Sequence, residues 1–528
     1  VVRLSSYAIL STPLPGGGYA LLNGCTGAID VISNELGAIL AKALQQSHSD
    51  PSLQQASRIR YKHDVVIPME RLPEELADHL IERGHLTRVP HEVERAHVGQ
   101  LANLMHELAR IQPAILIVPS FDCNYRCPYC FERPIQRRLG SPKADIAYEK
   151  GTVLMGREHV DPLYAAIERI EHEARERAIW DDLREAGRLP EDDRGSRPAG
   201  ITLYGGEPLN AANREIVFEI VEHGVARGHP FAAVTNGHDL DVFLPLLAPD
   251  MISQLQISID GPKHLHDRSR IARNRESSFD KIVTNIGKVL ARGGVEIQLR
   301  CHVDPRNVDQ LQGLVDFFEE QRWLDHSDVV IYLSNYNVKD EEGRVSRAID
   351  YDEVLKRWAD WAGRYGNVFV GSLAAHTDAL LAPALEEGEP ARLRGTYCAA
   401  NSGAFIFAPD GFVYCCWESV GKECSRVGRY MGKEGLSLDP KLAKHWFERS
   451  LARIPECLDC CFALVCGGGC AQYAEYNTGS LYKPYCNEFE VVYPAALAKT
   501  VARRFCAERD AMQEDSQSSA AEPVLETA

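Results

Sequence analysis

Sixteen cysteines in a 528-residue chain, and above all their placement, constrain this sequence more than any other feature. Three fall within residues 123 to 130 and ten within residues 398 to 486, while only Cys25, Cys301 and Cys506 stand apart. The amino terminus, VVRLSSYAIL, lacks the basic, long-apolar, small-residue order of a secretory signal, and it begins without Met, as expected if a tag or leading segment was removed. The longest strongly apolar run, Ala114 to Pro119, is far too short to cross a bilayer. These features predict a cytoplasmic chain with no membrane partner. Reduced thiols at such local density point to metal or redox chemistry rather than to disulfides. The formal net charge of −17 argues against nucleic acid as a partner, because such binding neutralises phosphates with basic side chains. A small molecule or a peptide fits better.

The rest of the chain reads as α/β. Residues 1–110 carry an alternating, hairpin-like stretch, YAILSTPL and YALLNG around the turn PGGG. Apolar-periodic helices follow around Glu35 to Gln45 and Pro73 to Arg83, then a short strand in GHLTRV, which together predict a small α+β region. Over 111–335 six short apolar or β-branched runs recur: AILIVPS, ITLYGG, FAAVTNG, LQISIDG, VEIQLRCHV and VVIYLSN. Amphipathic stretches such as Asn213 to Arg227 and Phe279 to Arg292 separate most of them, so six βα units are expected in a parallel sheet or partial (β/α)6 barrel. The first connection is long, and its charged segment IERIEHEARERAIWDDLREAG predicts a helical insert over about 135–197, beside the site or solvated. Residues 336–390 read as a connector with one helix, Glu353 to Trp361. Residues 391–490 are Gly- and Cys-rich with little periodicity, as expected where metal rather than an apolar core holds the chain. A terminal helix and a polar, acidic, disordered tail complete residues 491–528.

Directly after the first barrel strand comes FDCNYRCPYCFE, with Cys123, Cys127 and Cys130 in a Cys-X3-Cys-X2-Cys spacing. Three thiolates cannot fill the four-ligand shell of zinc or of a cubane cluster, so one metal corner stays open for an external ligand. YGGEP (204–208), TNG (235–237) and SIDGP (258–262) then end the second, third and fourth strands, at the rim where barrel enzymes assemble their sites. Glycines at 205 and 206 permit close backbone approach, and Glu207 can accept from an ammonium. This ordered set closely resembles the radical S-adenosylmethionine superfamily. The resemblance implies a [4Fe-4S] cluster whose open iron chelates S-adenosylmethionine, which is cleaved reductively to methionine and a 5′-deoxyadenosyl radical. It implies that Gly205, Gly206, Glu207 and Pro208 approach the methionine amino group, and that Asn236, Ser258 and Asp260 approach the ribose or the carboxylate. Arg268 or Arg270 would pair with that carboxylate, and Tyr129 would lie against the adenine or serve packing.

The second block runs Cys398, Gly411, Cys416, then Cys457-X2-Cys460-X5-Cys466-X3-Cys470, then Cys486. It resembles the SPASM domain, the auxiliary-cluster extension of radical S-adenosylmethionine enzymes that mature peptides and proteins. By that resemblance Cys457, Cys460, Cys466 and Cys486 complete one auxiliary [4Fe-4S] cluster, and Cys398, Cys416 and Cys470 supply three ligands of another. Its fourth position is open or closed by Cys415, Cys424 or Cys461; two of these adjoin a ligand in sequence, so Cys424 is the preferred closer. The implied cofactors are S-adenosyl-L-methionine and three [4Fe-4S] clusters.

The resembling family implies an oxidoreductase that modifies a ribosomally made precursor peptide by hydrogen abstraction and oxidative cross-linking. An electron donor such as flavodoxin or ferredoxin would serve it, and residues 1–110 would be either a winged-helix-like module gripping the peptide by strand addition or a packing extension of the main domain. Two other readings compete: formylglycine formation on a protein, as in anaerobic sulfatase maturases, and a non-catalytic iron–sulfur peptide-binding protein. Anaerobic reconstitution should load about twelve iron per chain if three four-iron clusters form, and replacing Cys123, Cys127 and Cys130 by Ala should remove about four. Stoichiometric zinc with no iron after reconstitution would contradict the reading.

Overall fold

A computed structural model describes residues 2–503 except 47–64, 68–71, 131, 133–153, 186–197, 325, 336, 341–343, 351–352, 355–356, 359–360, 362–363 and 487–488. The acidic tail and the flanks of the expected insert lie outside the described residues.

The amino-terminal region holds two small antiparallel sheets. Strands β1 (Arg3–Leu4) and β5 (Leu86–Thr87) pair with each other, and β2 (Ala8–Pro13), β3 (Tyr19–Asn23) and β4 (Ile29–Ile32) form a meander. The PGGG turn closes its first hairpin: Gly17 and Gly18 sit at φ 88° and 85°, a backbone region that costs glycine nothing. Strand alternation gives the meander two buried faces. Leu21 packs with Leu36, Leu40 and Leu80 of the helices Asn34–Gln46 and Glu74–Glu82. Ala20 and Leu22 pack instead against Cys460, Cys461, Phe462 and Val465 of the carboxy-terminal region. A third helix, His91–Arg110, has no broad apolar face to read in the sequence, because its buried strip is His91, Val98, Ala102 and His106.

The six expected strands form in order. Strands β6 (Ala114–Ile117), β7 (Ile201–Leu203), β8 (Phe231–Thr235), β9 (Ile252–Ser258), β10 (Glu296–Val303) and β11 (Val329–Asn335) lie side by side, all parallel. Helices return the chain between them. Ser278–Arg292 is typical, with the Ser277 hydroxyl accepting from Asp280 N and Gly293 turning the chain out at φ 69°. The described part of the long first connection corrects the insert reading. Helix Val160–Arg175 buries Leu163, Tyr164, Ile167 and Ile170 in the barrel core and is the return helix of the first βα unit, its charges other than the buried Glu171 lying on the opposite face.

The sheet does not stop at six strands. In the connector, a hairpin of β12 (Asn337–Lys339) and β13 (Val345–Arg347) precedes β14 (Val368–Val370), which pairs parallel to β11. The described residues at 353, 354, 357, 358 and 361 are helical, as expected there. At the opposite edge β15 (Ala404–Phe407) pairs parallel to β6 and leads into the antiparallel β16 (Phe412–Tyr414), β17 (Arg426–Arg429) and β18 (Ser437–Leu438). The cysteine-rich region is therefore continuous with the barrel sheet. Runs of three or four residues such as VFV and FVY are too short for periodicity to betray them.

Close backbone contact helps join the cysteine loops. Gly469, at φ 72°, lies so close to Tyr485 that a Cβ would overlap the Tyr485 carbonyl oxygen. Gly469→Ala should therefore cost more than the ~1 kcal/mol of a strained left-handed residue, lowering the melting temperature by about a degree for each kcal/mol in a chain of this length, a shift readable by thermal unfolding.

Candidate active site

The loop after β6 is folded onto the end of β7. Glu207 N donates to the Asp122 carbonyl at 2.9 Å and Gly206 N to the Ser120 carbonyl at 3.2 Å. A Cβ on Gly206 would overlap the Asp122 carbonyl, and one on Gly205, at φ 121°, would meet Val118. The two glycines thus admit the cysteine loop. Across the loop, Arg126 N donates to Ile271 O and Arg273 N to Asn124 O, tying it to the segment beyond β9. So held, the Cys123, Cys127 and Cys130 thiols are mutual electrostatic neighbours. Burial pushes all three thiols up, Cys130 to about 12.

Glu207 is buried at the centre of this arrangement, only 2% exposed. Its carboxylate accepts from Thr235 Oγ1 at 2.6 Å, Leu209 N at 3.0 Å and Asn236 N at 2.6 Å. Burial lifts its pKa to about 7, against these three hydrogen bonds. The Asn236 amide donates to Asn124 Oδ1 at 2.6 Å and reaches Cys123 Sγ at 3.9 Å, so it braces the cysteine loop. Pro208 and Ser258 are buried beside these groups.

A second buried cluster closes the site. Asp260 accepts from the Tyr129 hydroxyl and faces His302 Nδ1 at 2.8 Å, with Arg270 at 3.7 Å. Arg270 Nη1 donates to the Tyr129 hydroxyl at 2.8 Å. Burial opposes ionisation of Asp260, but His302 and Arg270 outweigh it and hold the carboxyl far below its ordinary range. Tyr129 is thus fixed through its hydroxyl, its ring 5.2 Å from that of His302. Of the two arginines weighed from sequence, Arg270 is buried in the site and Arg268 is exposed.

Sequence reasoning missed His302, Glu132 and Glu418. His302 lies at the end of β10, where the position along the rim was the available signal. Glu132 is buried, and its burial together with the Glu207 and Glu418 carboxylates raises it to about 8. Glu418 follows Cys416 by two residues, pairs with Lys339 at 3.2 Å and brings the carboxy-terminal region to the barrel mouth, where Trp417 lies 6.0 Å from Tyr204 of YGGEP.

The remaining cysteines gather into two groups. Cys416 neighbours Cys470 and Cys398. Cys466 is the shared neighbour of Cys457, Cys460 and Cys486. Cys415 is buried and neighbours Cys416 and Cys398, whereas Cys424 is exposed and is an electrostatic neighbour of Cys415. Among the described residues no three His, Cys, Asp or Glu side chains converge on a single metal ion. In a cubane site each thiolate holds a different iron, so such convergence is not required. The donor sets suit such clusters: buried thiols whose ionisation is disfavoured are what a cationic group of irons would ionise and hold.

Residues 117–318 match the Radical SAM superfamily profile. A cysteine-type anaerobic sulfatase-maturating enzyme of Clostridium novyi (strain NT) is 23% identical over 405 residues, 73% of this chain and 96% of its own length. Among solved structures, anSMEcpe with bound AdoMet and the Cp18Cys peptide is 20% identical, covers 75% of this chain and 99% of its own, and has a TM-score of 0.48. Streptococcus suis SuiB is 12% identical, covers 91% of this chain and 98% of its own, and has a TM-score of 0.41.

An ammonium placed on Glu207 needs the carboxylate ionised. Binding of S-adenosylmethionine to reconstituted protein should therefore weaken as pH falls from 8 to 6, by up to about tenfold per unit once below the pKa. Glu207→Gln should weaken it roughly ten- to a hundredfold at pH 8, the loss of one charge-assisted hydrogen bond, with iron content unchanged. Titration by equilibrium dialysis checks both.

Proposed function

Since the chain carries a radical SAM domain over residues 117–318, we propose that this enzyme oxidises a peptide or protein side chain. The observation that carries the reading is the convergence of Cys123, Cys127, Cys130, Glu207, Asn236 and Asp260 at the carboxyl ends of neighbouring parallel strands. Cys123, Cys127 and Cys130 would hold a [4Fe-4S] cluster, which with S-adenosylmethionine supplies a 5′-deoxyadenosyl radical when bound and reduced. Glu207 would receive the methionine ammonium and Arg270 the carboxylate, while Tyr129 and His302, locked on Asp260, would wall the pocket. The substrate yields one hydrogen atom to the 5′-carbon, then one electron and one proton, a two-electron oxidation overall. Cys457, Cys460, Cys466 and Cys486, and Cys398, Cys416 and Cys470 with Cys415 or Cys424, would hold auxiliary clusters that accept that electron. A flavodoxin or ferredoxin would reduce the first cluster.

Two substrate classes fit. A short precursor peptide is favoured by residues 1–110, whose antiparallel meander ends in β4 with its outer edge unpaired among the described residues, a place where a peptide strand can add. Formylglycine formation on a protein is favoured by the sulfatase-maturating relative, which the match spans almost end to end. Dithionite-reduced, reconstituted protein with S-adenosylmethionine should release 5′-deoxyadenosine, and its absence would overturn the reading. A sulfatase-derived Cys peptide that gains a hydrazide-reactive aldehyde selects the second class. A peptide encoded beside the gene that loses two hydrogen atoms by mass spectrometry selects the first.

A further inference from the structure

Two arginines, Arg449 fully and Arg394 partly buried, neighbour both carboxy-terminal cysteine groups. Arg449 is fully buried, and its electrostatic neighbours are Cys457 and Cys466 of one group and Cys398 and Cys470 of the other. It donates to the carbonyls of Gly468 at 3.1 Å and Lys483 at 3.2 Å, to that of Leu481, and to Asn401 Oδ1 at 3.4 Å. Its guanidinium thus pins the loop between Cys466 and Cys470 to the segment after Cys398. Arg394 also neighbours both groups, through Cys466 and Cys398. Its backbone donates to Leu464 O at 2.7 Å, and Gly467, at φ 74°, lies against Thr396 so closely that no Cβ would fit. Yet the Arg394 side chain is left wanting. Among the described residues only Nη1 finds an acceptor, the Tyr397 carbonyl at 3.3 Å, while Nε and Nη2 are buried with no partner there.

A buried guanidinium with two orphaned N–H groups costs several kcal/mol unless an anion lies beside it. Arg449 satisfies itself on carbonyls; Arg394 does not, and its electrostatic neighbours are the Cys466 and Cys398 thiols together with the Tyr397 and Tyr493 hydroxyls. We propose that Arg394 is a positioning residue for electron transfer: it faces the thiolate-ligated cluster held through Cys466 and, with Arg449 behind it, sets that cluster's reduction potential. The inference rests on the two cysteine groups holding iron–sulfur clusters. Its physical content is simple. When one electron enters a cluster the negative charge there rises by one, and a fixed cation in a low-dielectric surround stabilises the reduced form more than the oxidised one. Net charge and hydrogen bonds to sulfur are among the terms that set such potentials. The chain supplies both from one side chain placed between the groups, so electron exchange between them would pass a common positive charge.

The test is an EPR-monitored potentiometric titration of the reconstituted full-length chain as wild type, Arg394→Gln and Arg394→Lys, with iron counted in each. Arg449 stays intact because its carbonyl contacts hold the loops. In Arg394→Gln the reduced-to-oxidised ratio of one auxiliary signal should fall about tenfold at a given solution potential, about 59 mV for a one-electron couple. Arg394→Lys, which keeps the charge, should stay near the wild-type ratio. An unshifted Gln variant with full iron overturns the inference, as does a Lys variant that shifts as far as Gln. If Gln sheds iron, Lys decides: iron retained at the wild-type potential supports the charge role, and iron lost there overturns it. Wild-type protein that binds only about four iron overturns the auxiliary-cluster reading itself, a distinct result.

Discussion

The docking of the cysteine loop onto the end of β7 is the contact on which the rest of the site depends. Its hydrogen bonds, from Glu207 N and Gly206 N to the carbonyls of Asp122 and Ser120, form only because residues 205 and 206 have no side chain to keep the segments apart. That one approach brings the Glu207 carboxylate near the Cys123 and Cys127 thiols and lets Asn236, from the next strand, brace Asn124. The price of such closeness is buried charge. Glu207 and Glu132 are both displaced toward neutrality, and Asp260 stays ionised only because His302 and Arg270 face it.

A single sheet carries this arrangement outward. Because β15 pairs with β6, the strand that leads into the first cysteine loop is also the neighbour of the carboxy-terminal hairpin. Cys416, two residues beyond β16, therefore comes with Trp417 and Glu418 to the barrel mouth, beside Tyr204. On the far side, Ala20 and Leu22 of the amino-terminal meander cover the Cys460 to Val465 segment. Tyr7 donates to the Leu458 carbonyl there, and Arg95 pairs with Asp459 at 2.7 Å. The amino-terminal region is thus part of the wall around the second cysteine group, and its removal would expose thiols that the fold keeps dry.

The parts of this design legible in the chain were those with a strong local signature. Six apolar runs, four of them leading into cysteine, glycine or acidic motifs, could be ordered without a structure, since β-branched runs bounded by turns carry their own signal. Helix His91–Arg110 was not, because a strip of His, Val and Ala on an otherwise polar surface has little amphipathic contrast. Strands β14 and β16 were missed for a related reason: three residues cannot show a period. Helix Val160–Arg175 was visible as a helix, but its charge drew attention away from the apolar stripe that places it in the barrel.

Spacing along the chain by itself determined the chemistry this protein is suited to: three thiols too few for a closed metal shell, an acidic residue after two glycines, and a second run of thiols dense enough for further metal. Those are properties of covalent neighbours, within reach of one another in any fold that keeps the loop. Only the tertiary structure decided which distant groups share a site. Arg270 rather than Arg268 enters the pocket, His302 steadies Asp260, Cys415 lies deeper than Cys424, and Arg394 comes to rest between two cysteine groups. Each of these depends on strand register and loop packing over separations of tens to hundreds of residues, where burial and charge pairing, not sequence proximity, select the partner.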